Sequence, residues 1–297
     1  MDKNELNSLL QLMDDPDEAV YRRIRQLIID QGKEVVPMLE HAWENSFDEV
    51  TRGRLEEIIH TINFQHVKNQ LTLWKFKGGE DLIEGALLIS KYRYPSLDLD
   101  SLYREVGTLV QDIWLEMNER MSPLDKVRVI NHIFFDVYGF KGLKIKESSL
   151  SNVFLHQTLQ LKRGGPTTLG ILYLGIAQTL NLPVYGLDWP YYLPFSLSWL
   201  EFDPGHFIAD PSKDQVLFYI SPYYKGIAFS RRDLDKMLRD QQIDPDPQLF
   251  KPCSNIMVVE RLVKEVRHIF KQENQVSFME EMDELVNILR GDVSSDE

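Results

Sequence analysis

A basic, glycine-rich loop that leads into an apolar helix is the part of this sequence best suited to chemistry. The loop is 162–165, and Pro166 stands at the first position of the helix that follows. The N-terminus of a helix favours negative charge, so it binds anions and lowers the pKa of a thiol placed there. No cysteine stands at this helix start. The proline predicts a buried helix over 167–180 that packs against strands from 184–222, and the loop is either an anion site or a tight structural turn.

A threonine and a histidine are the best candidates for a nucleophile and a base. Thr167 lies at the helix start, and His206 is the histidine with a motif context, Pro204-Gly-His-Phe207. A threonine hydroxyl is a weak nucleophile without a base to activate it. Together the two residues would make the protein a hydrolase or an acyltransferase with a noncysteine nucleophile. The structural interpretation is that Thr167 caps the helix and that His206 lies in a hairpin turn.

Cys253 is the single cysteine of the chain, and it precedes a C-terminal helix. A helix N-terminus lowers the pKa of a thiol, but no histidine is near in sequence, so we expect a buried or capping residue. The histidines lack the spacing and the neighbouring acids of a helical zinc site, as His60 and His66 illustrate. We therefore expect no metal and no cofactor.

The composition is that of an ordinary soluble protein of 297 residues with a net charge of −13. This charge disfavours binding to nucleic acid or to an anionic membrane. No apolar run approaches the length of about 18 residues that a transmembrane helix needs, and the N-terminus does not resemble a signal peptide. A single cysteine excludes an internal disulfide. These features together indicate a cytoplasmic protein.

Hydrophobic spacing divides the chain into four regions. Residues 1–75 have the apolar spacing of helices, and 14–39 resembles a HEAT repeat, so this region is predicted to be a HEAT-like helical arm. The other predicted regions are a core with its leading helices (76–250), a C-terminal helical pair (251–290) and a disordered tail (291–297).

Helices precede strands within the core. Short β-branched or aromatic runs, bounded by Pro, Gly and Asp, predict strands at 184–189, 195–202 and 216–220. This order of elements predicts an α+β fold.

Six short motifs occur in a fixed order through the core. They are Tyr138-Gly-Phe-Lys-Gly142, Asn152-Val-Phe-Leu155 with Leu159, Arg163-Gly-Gly-Pro166, Ile171-Leu-Tyr-Leu174, Leu182-Pro-Val-Tyr-Gly186 and Phe218-Tyr-Ile-Ser-Pro222. In order and spacing they resemble the bacterial transglutaminase-like family of the Sir B type, over roughly residues 98–290. The resemblance implies a transglutaminase-like, papain-like core and suits a helical C-terminal segment.

The resemblance also implies where catalytic residues should stand. Active members of the superfamily use a cysteine, a histidine and an acid or amide. Counted back from Pro183, the cysteine position falls on Pro166. The histidine position falls on Tyr192 or, after a shift to the next proline, on Ser196, and the third position falls on Ser221. The resemblance therefore implies a degenerate site without catalytic residues.

Aromatic residues are concentrated in the strand region, where alternating aromatics are usually core. Two aromatic loops are also suited to a peptide- or protein-binding groove over the former cleft. We therefore expect a pseudoenzyme, a noncatalytic module that binds a protein or peptide or serves a regulatory complex. An enzyme that uses His206 and a HEAT-type scaffold are the alternatives. The candidate binding residues are Trp189, Tyr191, Tyr192, Tyr223, Tyr224, Arg163, Gly164 and Gly165.

Overall fold

The chain forms two compact units, Met1–Gln70 and Leu71–Glu297. The divisions predicted after residues 75 and 250 stay predictions, and the predicted tail, apart from Gly291, lies outside the described residues. The computed structural model describes residues 3–10, 12–13, 17–144, 147–189, 193–201, 216–240, 242–243 and 250–291.

The first unit is built from helices. They are α1 (Lys3–Leu10), α2 (Glu18–Ile29), a 3₁₀ helix (Gly32–Val35), α3 (Val36–Asn45) and most of α4 (Glu49–Phe76). Asp17 caps α2 by accepting a hydrogen bond of 2.8 Å from the N–H of Ala19, which satisfies a donor that the first turn leaves free. Ile28, Leu39 and Ile58 lie in a fully buried core. The helices agree with the apolar spacing, whereas their HEAT-repeat character stays a prediction.

In the second unit, helices precede and follow the strands of the larger sheet along the chain. Its described helices are α5 (Leu82–Arg93), α6 (Leu99–Glu116), α7 (Pro123–Asn131), a π-helix (His132–Val137), α8 (Leu155–Leu161), α9 (Pro166–Thr179), a 3₁₀ helix (Pro222–Tyr224), α10 (Arg231–Asp240), α11 (Asn255–Gln272) and α12 (Val276–Arg290). α11 packs on α12, α5 and α9. None of the helices in the described part of the chain combines the length and the apolarity that crossing a bilayer requires.

A two-stranded and a five-stranded sheet occur in the described residues. In the small sheet, β1 (Lys141–Gly142) pairs in parallel with β2 (Arg163–Gly164). The strands of the larger sheet are β3 (Val184–Leu187), β4 (Leu197–Leu200), β5 (Val216–Ser221), β6 (Ile227–Phe229) and β7 (Pro252–Cys253). They are antiparallel in the order β6-β5-β4-β3-β7. The combination of helices with this sheet confirms the predicted α+β class.

The helix predicted after the glycine-rich loop lies at the centre of the second unit. α9 begins at Pro166, and all its residues from Thr167 to Ala177 are buried. Gly170 faces the ring of Phe195, where an added Cβ would lie 2.2 Å from a ring carbon. Glycine therefore lets the helix approach this ring as closely as it does. α9 also packs on β3, which confirms the predicted buried helix against the strands.

The two faces of the larger sheet are covered by different helices. Gly186 of β3 faces α11, because an added Cβ there would lie 2.9 Å from a methyl carbon of Val258 and 2.9 Å from the ring of Phe195. Leu187, the next residue, packs in a cluster with Leu234 of α10. Successive residues of a strand point to opposite faces. α9 and α11 therefore lie over one face of the sheet, and α10 lies over the other.

Candidate functional site

The glycines before α9 have a structural role. Gly165 is the N-cap residue and Pro166 is the first helical residue. A Cβ on Gly164 would lie 2.5 Å from Oγ1 of Thr158 and 2.7 Å from Oγ1 of Thr168. These two hydroxyls share a hydrogen bond of 2.8 Å. Close packing against the two threonines therefore explains why residue 164 is a glycine. This favours the interpretation of the loop as a tight structural turn over an anion site.

The basic residues of the same loop already face acids. Lys162 is hydrogen-bonded to Glu105, and its ammonium lies 4.8 Å from the centre of the Phe140 ring. Arg163 is more exposed, and its guanidinium lies 3.9 Å from a carboxylate oxygen of Glu147. An anion would have to compete with both acids, and the anion site stays a prediction.

The hydroxyl of Thr167 belongs to a buried polar cluster, named the α9 cluster, that also contains Arg261 and Glu265. Thr167 is 1% exposed. Nε of Arg261 donates a hydrogen bond of 3.2 Å to Oγ1 of Thr167, and the Thr167 hydroxyl is hydrogen-bonded to Glu265. Oε2 of Glu265 is buried with no hydrogen-bond partner among the described residues. Burial raises the pKa of the Glu265 carboxyl, while the Thr167 hydrogen bond and the Arg261 charge oppose the rise.

Arg261 also holds the two flanks of the loop that follows β3. One Nη donates a hydrogen bond of 2.7 Å to the carbonyl of Trp189, and the other donates to the carbonyl of Leu193. The guanidinium lies 5.2 Å from the centre of the Phe195 ring. Burial lowers the pKa of Arg261 to about 10, and the charge of Glu265 opposes the change. Arg261 therefore stays charged at neutral pH, and its hydrogen bonds are of the stronger, charge-assisted kind.

Sequence reasoning missed both charged members of the α9 cluster. Arg261 and Glu265 are four residues apart on α11, so they project from the same face of that helix. Val258 and Leu262, which are buried, belong to the apolar face of α11. The signal in the sequence was the presence of an arginine and a glutamate within the apolar face of a helix. Charged residues are rarely buried unless they are paired, so this pattern indicates a buried polar cluster.

A pocket of about 350 Å³, named the Asp188 pocket, lies beside Arg261. Its lining includes Asp188, Trp189, Phe195, Met257, Arg261 and Lys264. Cys253 also lines it, but burial raises the pKa of this thiol to about 12, and the charge of Asp188 adds to the rise. Such a thiol is protonated at neutral pH and is a poor nucleophile. Nowhere in the described part of the chain do three His, Cys, Asp or Glu side chains gather as metal ligands.

A second pocket, of about 200 Å³, lies on the α10 face of the sheet and is named the Tyr224 pocket. Its lining includes Pro194, Ser196, Ser221, Tyr224, Ile227 and Phe229. Ser196 and Ser221 are neighbours because Leu197 pairs with Ile220. Ser196 donates to the carbonyl of Pro194 at 3.3 Å, while Oγ of Ser221 is buried without a partner among the described residues. The structure thus brings Ser196 and Ser221 together on the face opposite α9, and it does not bring them to Pro166, the expected cysteine position at the start of α9.

The predicted aromatic binding residues lie in different environments. Trp189 is 4% exposed and belongs to the core. Tyr223 donates its hydroxyl to the carbonyl of Leu143 at 2.7 Å, so its side chain is held by the fold. Tyr224 is 56% exposed and is accessible to a ligand. The remaining candidates, Tyr191, Tyr192 and His206, lie outside the described residues.

The residues that form α9 and the larger sheet also match a family of known proteins. The model of the transglutaminase-like superfamily matches residues 100–264, which is more than half of the chain. The chain therefore belongs to the transglutaminase-like superfamily.

Its relatives include several bacterial proteins with the name UPF0162. One from Xylella fastidiosa (strain 9a5c) is 22% identical over 201 residues, which cover 65% of this chain and 66% of that protein. One from Vibrio cholerae is 28% identical over 119 residues, which cover 40% of this chain and 44% of that protein. The UPF0162 protein YchA of Escherichia coli K12 is 23% identical over 199 residues, which cover 66% and 68%. The chain thus spans only part of each relative, and no solved structure matches it significantly.

Proposed function

We propose that this protein is a noncatalytic member of the superfamily, of the Sir B type, and that it binds an extended segment of a protein partner at the Tyr224 pocket. The observation that carries the proposal is an open, largely apolar pocket whose lining includes Ser196 and Ser221, two of the positions that the resemblance gives for catalytic residues. A serine hydroxyl is no substitute for a histidine as general base.

The burial of the candidate nucleophiles supports the proposal that the protein is noncatalytic. Thr167 is 1% exposed, so a substrate carbonyl has no approach to its hydroxyl. The Cys253 thiol is buried and has a raised pKa. Pro166 stands at the expected cysteine position, and it also lacks the N–H that a helix start offers to an anion.

The walls of the Tyr224 pocket support the proposal that it binds a protein segment. Tyr224 and Ile227 are 56% and 58% exposed, and exposed apolar side chains around a concave surface are typical of interaction sites. The surface of the pocket is almost entirely apolar, and Oγ of Ser221 is buried, so the walls would recognise an apolar group. β6 is an edge strand of the described sheet, and edge strands bind extended peptides by backbone pairing. These features favour an extended segment with one apolar anchor residue.

Selection from a phage-displayed library of random peptides tests the binding proposal. Peptides selected on the wild-type chain are titrated against Tyr224→Ala and against the control Trp114→Ala. Trp114 is 64% exposed on α6, outside the pocket. We expect peptides with an apolar anchor, and Tyr224→Ala should weaken their binding by about 2 kcal/mol, or roughly 30-fold. Trp114→Ala should leave binding unchanged.

Two outcomes would contradict the binding proposal, and one would contradict the noncatalytic proposal. Peptides that bind Tyr224→Ala as tightly as the wild type, or a selection that yields no peptide, would show that the pocket is not a peptide site. A screen for hydrolysis and transamidation tests catalysis separately. Turnover by the wild type that disappears in His206→Ala would establish an enzyme.

A further inference from the structure

The Asp188 pocket presents two opposite charges that do not touch each other. Asp188 interacts electrostatically with Lys264, but these two side chains, both in the described part of the chain, do not form an ion pair. Among the described residues, no donor forms a hydrogen bond to the Asp188 carboxylate. Both residues line the same volume of about 350 Å³. That volume is at the lower end of the range for small-molecule sites. The pocket therefore leaves a gap between an acceptor and a cationic donor.

The other charges around the pocket already have partners. Glu260 is bound by Lys264 at 2.6 Å and by Arg290 at 2.8 Å. The guanidinium of Arg261 is used by the α9 cluster and by two backbone carbonyls. An ammonium group carries three N–H donors, so Lys264 has donors beyond the one that Glu260 takes. Asp188 and Lys264 are thus the two groups with capacity for a ligand.

A ligand with a single charge fits this arrangement poorly. An anion would meet Asp188, and a cation would meet Lys264 and the buried charge of Arg261. A zwitterion satisfies both sides, because its ammonium faces the carboxylate and its carboxylate faces the ammonium. The apolar walls of Trp189, Phe195 and Met257 favour a ligand that also carries an apolar side chain.

We propose that the Asp188 pocket binds a free α-amino acid with an apolar side chain. Asp188 accepts hydrogen bonds from the ligand ammonium, and Lys264 donates to the ligand carboxylate. The ligand side chain packs against Met257, which is 39% exposed in the pocket lining. This site is separate from the Tyr224 pocket, and it does not depend on the peptide-binding proposal.

Thermal-shift and calorimetric titrations of the full chain test the proposal. Each standard L-amino acid is screened for an increase in melting temperature, because a ligand that binds only the folded state stabilises it. The best binder is then compared with its carboxamide, which lacks the carboxylate, and with its N-acetyl derivative, which lacks the ammonium. We expect an apolar amino acid to bind and each derivative to bind about tenfold more weakly or worse, because each leaves one charged partner unsatisfied.

Variants of the two recognition residues supply the second readout. Asp188→Asn and Lys264→Gln should each reduce amino-acid affinity about tenfold or more, while Lys271→Gln, on the same helix but outside the pocket lining, should not. The melting temperature without ligand checks that each variant is folded. Absence of binding by every amino acid would overturn the proposal, and so would unchanged affinity in Asp188→Asn. Equal binding of the carboxamide would show a cation site and overturn it as well.

Discussion

Arg261 is expected to be the most important single polar residue for the stability of the second unit. Arg261→Met keeps much of the aliphatic volume but removes the donors to Thr167, Trp189 and Leu193. Each buried acceptor that loses its partner costs about 1–3 kcal/mol, and three acceptors lose theirs. The costs are not fully additive, because the flanking backbone can relax. We therefore expect the free energy of unfolding to fall by about 4 kcal/mol.

Urea denaturation followed by tryptophan fluorescence measures this change, with a partly exposed arginine as the matched control. Arg267 is on the same helix, and its guanidinium contacts the carboxylate of Asp283 at 2.5 and 2.8 Å, with side chains that are 33% and 49% exposed. Ion pairs in contact with water contribute about 1 kcal/mol or less, so Arg267→Met should cost far less than Arg261→Met. A similar denaturant slope in all variants would show that the denatured state is unchanged.

A double variant separates the charge of Glu265 from the hydrogen bonds of Arg261. Burial raises the pKa of Glu265, while Thr167 and Arg261 oppose the rise. Glu265→Gln therefore removes a costly carboxyl together with its attraction to Arg261, and it should cost much less than Arg261→Met. In the background of Arg261→Met it should recover part of the lost stability, by about 1 kcal/mol or more, because the stranded carboxyl is gone. If Arg261→Met costs no more than Arg267→Met, or if the double variant is less stable than Arg261→Met, the assigned role of the α9 cluster is wrong.

Two further predictions concern buried titratable groups. Burial raises the pKa of Cys253 from 9.0 to about 12, so its thiolate is scarce near neutral pH, and the buried thiol is also poorly accessible. Alkylation of the native protein should therefore be at least about 100-fold slower than alkylation of the urea-unfolded chain, and modification at similar rates would contradict the assignment. Burial lowers the pKa of His156 to about 4 from an ordinary 6.5, so the native state binds fewer protons than the unfolded state and its stability should fall as pH drops from 6.5 towards 4. Chemical denaturation at several pH values should show this dependence reduced in His156→Gln, and an identical dependence in the variant would contradict the assignment.

Local signals in the sequence were sufficient to predict α9 and the strands β3, β4 and β5, but not the short strands β1, β2, β6 and β7. Pro166 can stand at a first helical position because its missing N–H is unbonded there anyway, and the apolar run behind it requires burial. The strands from 184 to 221 were marked by β-branched and aromatic residues between turn residues. The close contact of Gly170 is with Phe195, a residue distant in sequence, so no local pattern indicated why a glycine is needed there.

The placement of the expected catalytic positions required information that the sequence lacks. The resemblance assigned Ser196 and Ser221 to the expected histidine and third positions, and in the structure they line one pocket. Which face of a strand a residue presents changes with a shift of one residue, so alignment by motif alone could not decide between the α9 face and the α10 face. Tyr223 and Tyr224 illustrate the same limit: they are adjacent in sequence, but one is hydrogen-bonded to Leu143 and the other is exposed.

The start of α9 shows why groups suitable for acyl transfer do not amount to an active site. A hydroxyl, a carboxyl and a guanidinium meet there in Thr167, Glu265 and Arg261. A base could take the proton of such a hydroxyl, and a nearby cation would favour the alkoxide. A reacting carbonyl must nevertheless come within about 3–3.5 Å of the nucleophile, and Thr167 is enclosed by the helix and by the residues that Arg261 holds. Access to solvent lies instead in the two pockets on opposite faces of the sheet, which is why we assign binding to them and a structural role to the α9 cluster.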